Sequence, residues 1–211
     1  MDTDLSTYLV TEEALAVTGE TPAVVEAAVT AGVDVVQLRE KGRTARERYA
    51  IGEAVRDICT AADVPMLVND RIDLALALGA DGVHLGAEDL PVRVARDLLG
   101  PSAIIGRSVT GADAAAAAAS EGADYVGVGA VYETQTKAVA DAQQAVGPAR
   151  IAAIAEQVDI PVVGIGGITA SGAPAVIEAG AAGVAVVSAI MAAPDPQVAT
   201  RELAAAVSEA R

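Results

Sequence analysis

The sequence contains no tryptophan and no phenylalanine, and its four tyrosines, Tyr8, Tyr49, Tyr125 and Tyr132, are its only phenolic rings. A chain so poor in aromatics offers no platform on which unpaired bases stack. Lysine is nearly as scarce: Lys41 and Lys137 are the only two, and arginine supplies every other basic side chain. With 29 acidic against 14 basic residues the formal net charge is −15, opposite in sign to the face that a phosphate backbone demands, so nucleic acid is excluded as a partner. Cys59 is the sole cysteine, which rules out an internal disulfide and a metal site built from thiolates. Its neighbours Val55, Ile58 and Ala62 mark it as a small core residue. Apolar runs are broken by Gly, Asp or Pro well short of the ~20 residues that cross a bilayer. The start, Met1-Asp-Thr-Asp-Leu5, has neither the basic residues nor the apolar stretch of a signal peptide. A cytoplasmic protein with no membrane partner is expected.

What is present is a chain of 211 residues, 53% of them hydrophobic, enough to bury the core of one domain spanning residues 1–211. Acidity, scarce lysine and abundant Ala and Val fit a halophilic cytosol, where carboxylates keep a surface hydrated; an ordinary acidic cytosolic protein is the other reading. Short runs rich in Val, Ile and Leu fall at 7–10, 33–38, 65–68, 82–85, 103–105, 125–128, 161–165 and 183–187. Ala-rich segments of helical period separate them, at 22–31, 45–61, 72–78, 92–99, 112–121, 149–158, 172–179 and 189–210. One phrase recurs where a helix gives way to a strand: Ala31-Gly-Val-Asp34, Gly79-Ala-Asp-Gly82, Gly122-Ala-Asp124 and Gly180-Ala-Ala-Gly183. Glycine there suits the left-handed residue that ends a helix. Strands apolar on both faces belong to a parallel sheet covered by helices. Eight such units predict an α/β fold, a single (β/α)8 TIM barrel; an open doubly wound sheet is the alternative, but no G-x-G-x-x-G turn follows the first strand.

In either architecture ligands bind where strands end, so polar residues just after each apolar run define the candidate site. After the second run come Gln37, Leu38, Arg39, Glu40 and Lys41. Alternation turns Gln37, Arg39 and Lys41 to one side, an amide and two cations suited to a diphosphate, with Glu40 as an ion-pair partner between them. A solvated charged loop is the plainer alternative. Asn69 and Asp70 follow the third run and Asp89 the fourth. Each aspartate fits either a helix cap or a magnesium ligand, since one or two carboxylates plus substrate phosphates suffice for that ion. Ser108, after the fifth run, offers a hydroxyl to a phosphate oxygen or to a cap. Thr134, Gln135, Thr136 and Lys137 lie on the long loop 129–147, a length that favours function. Gly164-Ile-Gly-Gly-Ile168 after the seventh run, and Val187-Ser188 after the eighth, match the phosphate cup of barrels, unless Gly166 and Gly167 serve only a tight turn. His84, the one histidine, stands in an apolar run and reads as a hydrogen-bonded structural residue. The assembled set has two anion locations and a metal, and no nucleophile.

Taken in order, these motifs resemble the thiamine phosphate synthase family over nearly the whole chain. The phrases that carry the resemblance are Tyr8-Leu-Val-Thr11, Val36-Gln-Leu-Arg-Glu-Lys41, Leu67-Val-Asn-Asp-Arg71, Asp81-Gly-Val-His-Leu-Gly86 with Asp89, Ile105-Gly106 with Ser108, Gly122-Ala-Asp-Tyr-Val-Gly-Val-Gly129, Thr134-Gln-Thr-Lys137, Gly164-Ile-Gly-Gly-Ile168 and Val187-Ser-Ala-Ile190. The resemblance implies a barrel that joins hydroxymethylpyrimidine diphosphate to a thiazole phosphate and releases diphosphate. It implies that Gln37, Leu38, Arg39, Glu40, Lys41, Asn69, Ser108 and Lys137 hold the pyrimidine diphosphate, with Arg39, Lys41, Lys137 and Ser108 as the catalytic set, the three cations acting on the departing group. Asp70 and Asp89 would bind Mg2+, and Thr134, Gln135, Thr136, Gly167, Val187 and Ser188 the thiazole phosphate. Ala87 replaces a common glutamine and Ala130 a common proline, departures that tune loop geometry. The rival readings are a related thiazole tautomerase, which needs neither diphosphate nor metal, and a non-catalytic phosphate-binding regulatory barrel.

Overall fold

The computed structural model describes residues 3–134 and 145–211. Among the described residues, eight parallel strands close into a barrel in chain order: β1 (Thr7–Val10), β2 (Val35–Leu38), β3 (Met66–Asn69), β4 (Gly82–Leu85), β5 (Ile104–Val109), β6 (Tyr125–Val128), β7 (Val162–Ile165) and β8 (Gly183–Val186). Pairing of Thr7 with Val184 completes the ring. Helices α1 (Thr21–Thr30), α2 (Ala45–Ala61), α3 (Ile72–Leu78), α4 (Val92–Leu99), α5 (Ala112–Ser120), α6 (Gly147–Ala155) and α7 (Ala173–Glu178) follow successive strands, and α8 (Ser188–Met191) and α9 (Pro196–Glu209) follow the last. The expected (β/α)8 TIM barrel is therefore the fold. No helix among the described residues is long and apolar enough to cross a membrane.

The strands are mostly apolar because each side of the sheet buries something different. Leu9, Val36, Leu38 and Val68 face the helices and join one large core with Val24, Val25 and Ala28 of α1. Tyr8, Val10, Val35, Leu67, Tyr125, Val163 and Ala185 face inward and fill the lumen. The recurrent glycine-aspartate phrase does more than end helices. Asp34 Oδ2 accepts the Thr7 N–H at 2.9 Å, Asp81 Oδ2 that of Met66 at 2.8 Å and Asp124 Oδ2 that of Ile105 at 2.7 Å. Each carboxylate at the foot of an even strand thus pins an amide at the start of the odd strand beside it, the first of β1 and β3 and the second of β5.

Two elements depart from expectation. The helix expected over 189–210 is two, because Pro194 and Pro196 cannot continue one; α9 restarts with Pro196 in its first turn and Asp195 Oδ1 accepting the Val198 N–H at 3.0 Å. The fifth strand runs on to Val109 instead of stopping at 105, since Arg107 and Ser108 pair with Val126 and Gly127. Ser108 therefore lies in the barrel wall and not after it.

Candidate active site

At the rim of β2 the three residues expected on one side separate. Gln37 turns inward, buried, and its Nε2 donates to the Tyr8 hydroxyl at 2.6 Å. Leu38 points outward into the helix-facing core, so its side chain does not reach the mouth. Arg39 pairs with Glu12. Glu40 is fully buried at φ 40°, and its carboxylate accepts the Glu13 N–H and the Thr21 hydroxyl, both at 2.8 Å. The expectation that Glu40 pairs with the cations beside it is thus corrected: it ties the β2 rim to the β1 loop and to α1. The turn it makes sends Lys41 toward β3, with Nζ 3.0 Å from Asp70 Oδ2.

Asp70 itself stands at φ 63°, a left-handed position, and its N–H donates to the His84 carbonyl at 2.8 Å. Neither aspartate caps a helix. Arg71 precedes α3 and Pro91 precedes α4 with no side-chain cap, while Asp89 Oδ2 accepts the Gly86 N–H at 2.6 Å. The two carboxyl groups are close neighbours, each shifting the other's titration. Burial, together with the neighbouring Asp70, holds the Asp89 carboxyl above its ordinary range. For Asp70 the cost of burial is outweighed, chiefly by the Lys41 ammonium and also by the neighbouring Asp89, and its carboxyl falls below the ordinary range. Such a pair needs a cation, and Lys41 now provides one. Two convergent carboxylates fit Mg2+ completed by substrate phosphates and water. Among the described residues, no group of three or more Asp, Glu, His or Cys side chains is placed to hold a metal ion. Beside them Asn69 Nδ2 is buried without a hydrogen-bond partner among the described residues, an unmet donor at the strand end.

Deeper in the lumen, side chains from five strands form a hydrogen-bonded row. Tyr8 and Tyr125 hydroxyls lie 2.9 Å apart, Tyr125 Oη is 2.9 Å from His84 Nδ1, and His84 Nε2 is 2.9 Å from Ser108 Oγ. Burial raises both phenols far above their ordinary range. His84 is hydrogen-bonded, as expected, but it reaches Ser108 directly. The tyrosines are the residues that sequence reasoning missed. Their signal was a phenol at an inward position of an otherwise apolar strand, where a hydroxyl must find a partner.

On the opposite side of the mouth, the segment after β6 lies along the glycine turn after β7. Val131 N–H donates to the Ile165 carbonyl and Tyr132 N–H to that of Gly166, both at 2.9 Å. Gly167, at φ 67°, admits this approach, because a Cβ there would come within 2.9 Å of the Tyr132 carbonyl carbon. The glycines therefore do more than turn the chain: they bring the stretch leading to Thr134 against the β7 loop. Val187 and Ser188 open α8 on the neighbouring strand, with Ser188 exposed. Gln135, Thr136 and Lys137 lie outside the described residues.

Residues 7–190 match a family model described as thiamine monophosphate synthase. The chain is 56% identical over 209 residues to the thiamine-phosphate synthase of Haloarcula marismortui, covering 99% of each chain. It is 56% identical over 210 residues to that of Haloquadratum walsbyi, covering 100% of this chain and 94% of the other. Among solved structures, a thiamine phosphate pyrophosphorylase from Pyrococcus furiosus superimposes with a TM-score of 0.89 at 39% identity, covering 99% of this chain and 98% of that one.

Proposed function

The chain belongs to the thiamine monophosphate synthase family, and from that premise we propose how its barrel mouth divides the work. The enzyme is a transferase that condenses hydroxymethylpyrimidine diphosphate with thiazole phosphate to give thiamine phosphate and diphosphate. No protein nucleophile is required, because the thiazole nitrogen is itself the attacking atom and the pyrimidine methylene carbon the one attacked. What the protein must supply is a place where negative charge can grow on the departing diphosphate.

The observation that carries this reading is the meeting of Lys41, Asp70 and Asp89 beside an Asn69 amide that has no hydrogen-bond partner among the described residues. Asp70 and Asp89 are the residues that would hold Mg2+, which when bound neutralises diphosphate oxygens and lowers the barrier to their departure. Lys41 then exchanges its carboxylate for a phosphate oxygen, and Lys137 is assigned to the same group. Arg39, held by Glu12, faces the diphosphate from the β1 side, with the Leu38–Glu40 backbone framing it. Asn69 Nδ2 and Ser108 Oγ orient the aminopyrimidine, and Gln37 stands behind them in the lumen. Thr134, Gln135, Thr136, Gly167, Val187 and Ser188 cradle the thiazole phosphate at the β6, β7 and β8 ends, where backbone N–H groups suit an anion. In this arrangement diphosphate leaves first, and the electron-rich pyrimidine carries the positive charge until the thiazole nitrogen bonds.

The test is incubation of the protein with both substrates and Mg2+ in molar KCl, with product followed by chromatography. Thiamine phosphate that forms only with Mg2+ supports the reading. Aromatisation of a thiazole without diphosphate or metal, or phosphate binding without turnover, would replace it.

A further inference from the structure

The row of side chains across the lumen has a direction. Gln37 offers an amide N–H to Tyr8, and an N–H can only donate. Tyr8 Oη therefore accepts, and its own proton goes to the other oxygen within reach, that of Tyr125 at 2.9 Å. Tyr125, having accepted, donates to His84 Nδ1 at 2.9 Å. A ring whose Nδ1 accepts carries its proton on Nε2, and that nitrogen is 2.9 Å from Ser108 Oγ. Ser108 accepts in turn and keeps its own O–H for a group in the mouth. Reversal would make Tyr8 accept from both Gln37 and Tyr125 and leave its own proton without an acceptor in a fully buried position, which is costly.

The barrel is built around this row. A Cβ at Gly106 would collide with the Tyr125 ring, and one at Gly127 would sit 3.0 Å from His84 Cε1. Two inward positions are thus kept bare for two rings, whose centroids lie 5.5 Å apart.

We propose that Gln37, Tyr8, Tyr125 and His84 are positioning residues forming a one-way hydrogen-bond relay, which fixes His84 in its Nε2-protonated tautomer and thereby aims the Ser108 hydroxyl as a donor toward the pyrimidine. The last step rests on the assignment of Ser108 to the pyrimidine site; the tautomer does not. Substrate bound at an acceptor nitrogen of the pyrimidine would find the serine proton already pointed at it, with no reorganisation during reaction.

Because His84 is the only histidine, nitrogen-15-labelled histidine reports on one ring alone. Long-range proton–nitrogen correlation of the wild-type protein is expected to show a single tautomer protonated at Nε2. An Nδ1-protonated ring would overturn the proposal. In Tyr125→Phe, which loses one oxygen, the ring should shift to a mixture of tautomers; an unchanged ring would also overturn it. In turnover, Tyr125→Phe should raise KM for the pyrimidine diphosphate and leave KM for the thiazole phosphate near its original value, with kcat/KM down by on the order of 10- to 100-fold. His84→Gln, which can still donate to Ser108, should recover part of the activity that His84→Ala loses; equal losses would remove the positioning role. If the tautomer is as stated but Ser108→Ala leaves KM for the pyrimidine diphosphate unchanged, the relay stands and the substrate assignment of Ser108 fails.

Discussion

Glu40 holds a left-handed backbone with its carboxylate wholly inside the protein, bonded to Glu13 N and the Thr21 hydroxyl. Replacing it by alanine strands a buried hydroxyl and a part-buried amide and should cost about 1–3 kcal/mol, seen as a lower urea midpoint. The same change frees the turn that aims Lys41, so KM for the pyrimidine diphosphate should rise as well; a stability loss with KM unaltered would confine Glu40 to a fold role. Lys41 itself, with its side chain 45% exposed, contributes little to the core. Lys41→Ala should leave the melting temperature nearly unchanged and reduce kcat by ~10²- to 10³-fold, the scale of one lost transition-state contact. Lys137→Ala should do the same. Lys41→Arg should recover little of it, because a planar guanidinium does not occupy the space of a compact ammonium beside Asp70. Rescue by arginine to near wild-type turnover would show that only charge matters there.

The pins at the feet of the strands give the elements their register. Asp81→Ala leaves the Met66 N–H, the first of β3, without its acceptor, a loss of about 1–3 kcal/mol by chemical denaturation. Asp124→Ala should cost more, because Asp124 also holds Arg96 at 2.7 Å, and Arg96 Nη2 in turn donates to the Gly122 carbonyl at 3.0 Å. Asp81 and Asp124 pin separate strand pairs, so the double variant should be close to additive. Strands β1 to β8 were legible because a parallel strand buried on both sides is apolar along most of its length. The glycine that follows α1, α3, α5 and α7 was legible in the recurrent phrase, whereas the aspartate in three of those phrases was not, since nothing local says that a carboxylate reaches the neighbouring strand. The site was legible as a set of strand ends, which is how Asp70 and Asp89 came to be paired. What could not be read was direction: a loop residue at positive φ, as at Glu40 and Asp70, overturns the alternation that placed Gln37, Arg39 and Lys41 together. The lumen was hidden for a related reason. Tyr8 and Tyr125 are 117 residues apart in sequence, and only closure of the barrel makes them neighbours.

At the scale of the whole molecule, a net charge of −15 on 211 residues sets compactness against self-repulsion. Screening extends ~10 Å at 0.1 M salt and only ~3 Å at 1 M, so molar salt removes the repulsion between distant surface carboxylates while pairs in contact, such as Lys41 with Asp70 at 3.0 Å, persist. Salt should therefore stabilise the fold and ease the approach of anionic substrates without dissolving the site that receives them. The halophilic reading of the composition makes this a requirement, and Cys59 offers the measurement. It is buried in the core with 1% exposure, and burial, with a smaller contribution from the Asp81 carboxylate, pushes its thiol up to about 12. A thiol so placed reacts with an exposed-thiol reagent only when the barrel opens. Labelling at constant pH should be slow in ~2 M KCl and should accelerate as the salt is lowered, in step with a falling thermal midpoint. Equal labelling rates and equal midpoints in dilute buffer and molar KCl would mean that the charge is merely tolerated, and that the acidic surface has nothing to do with the salt in which the enzyme works.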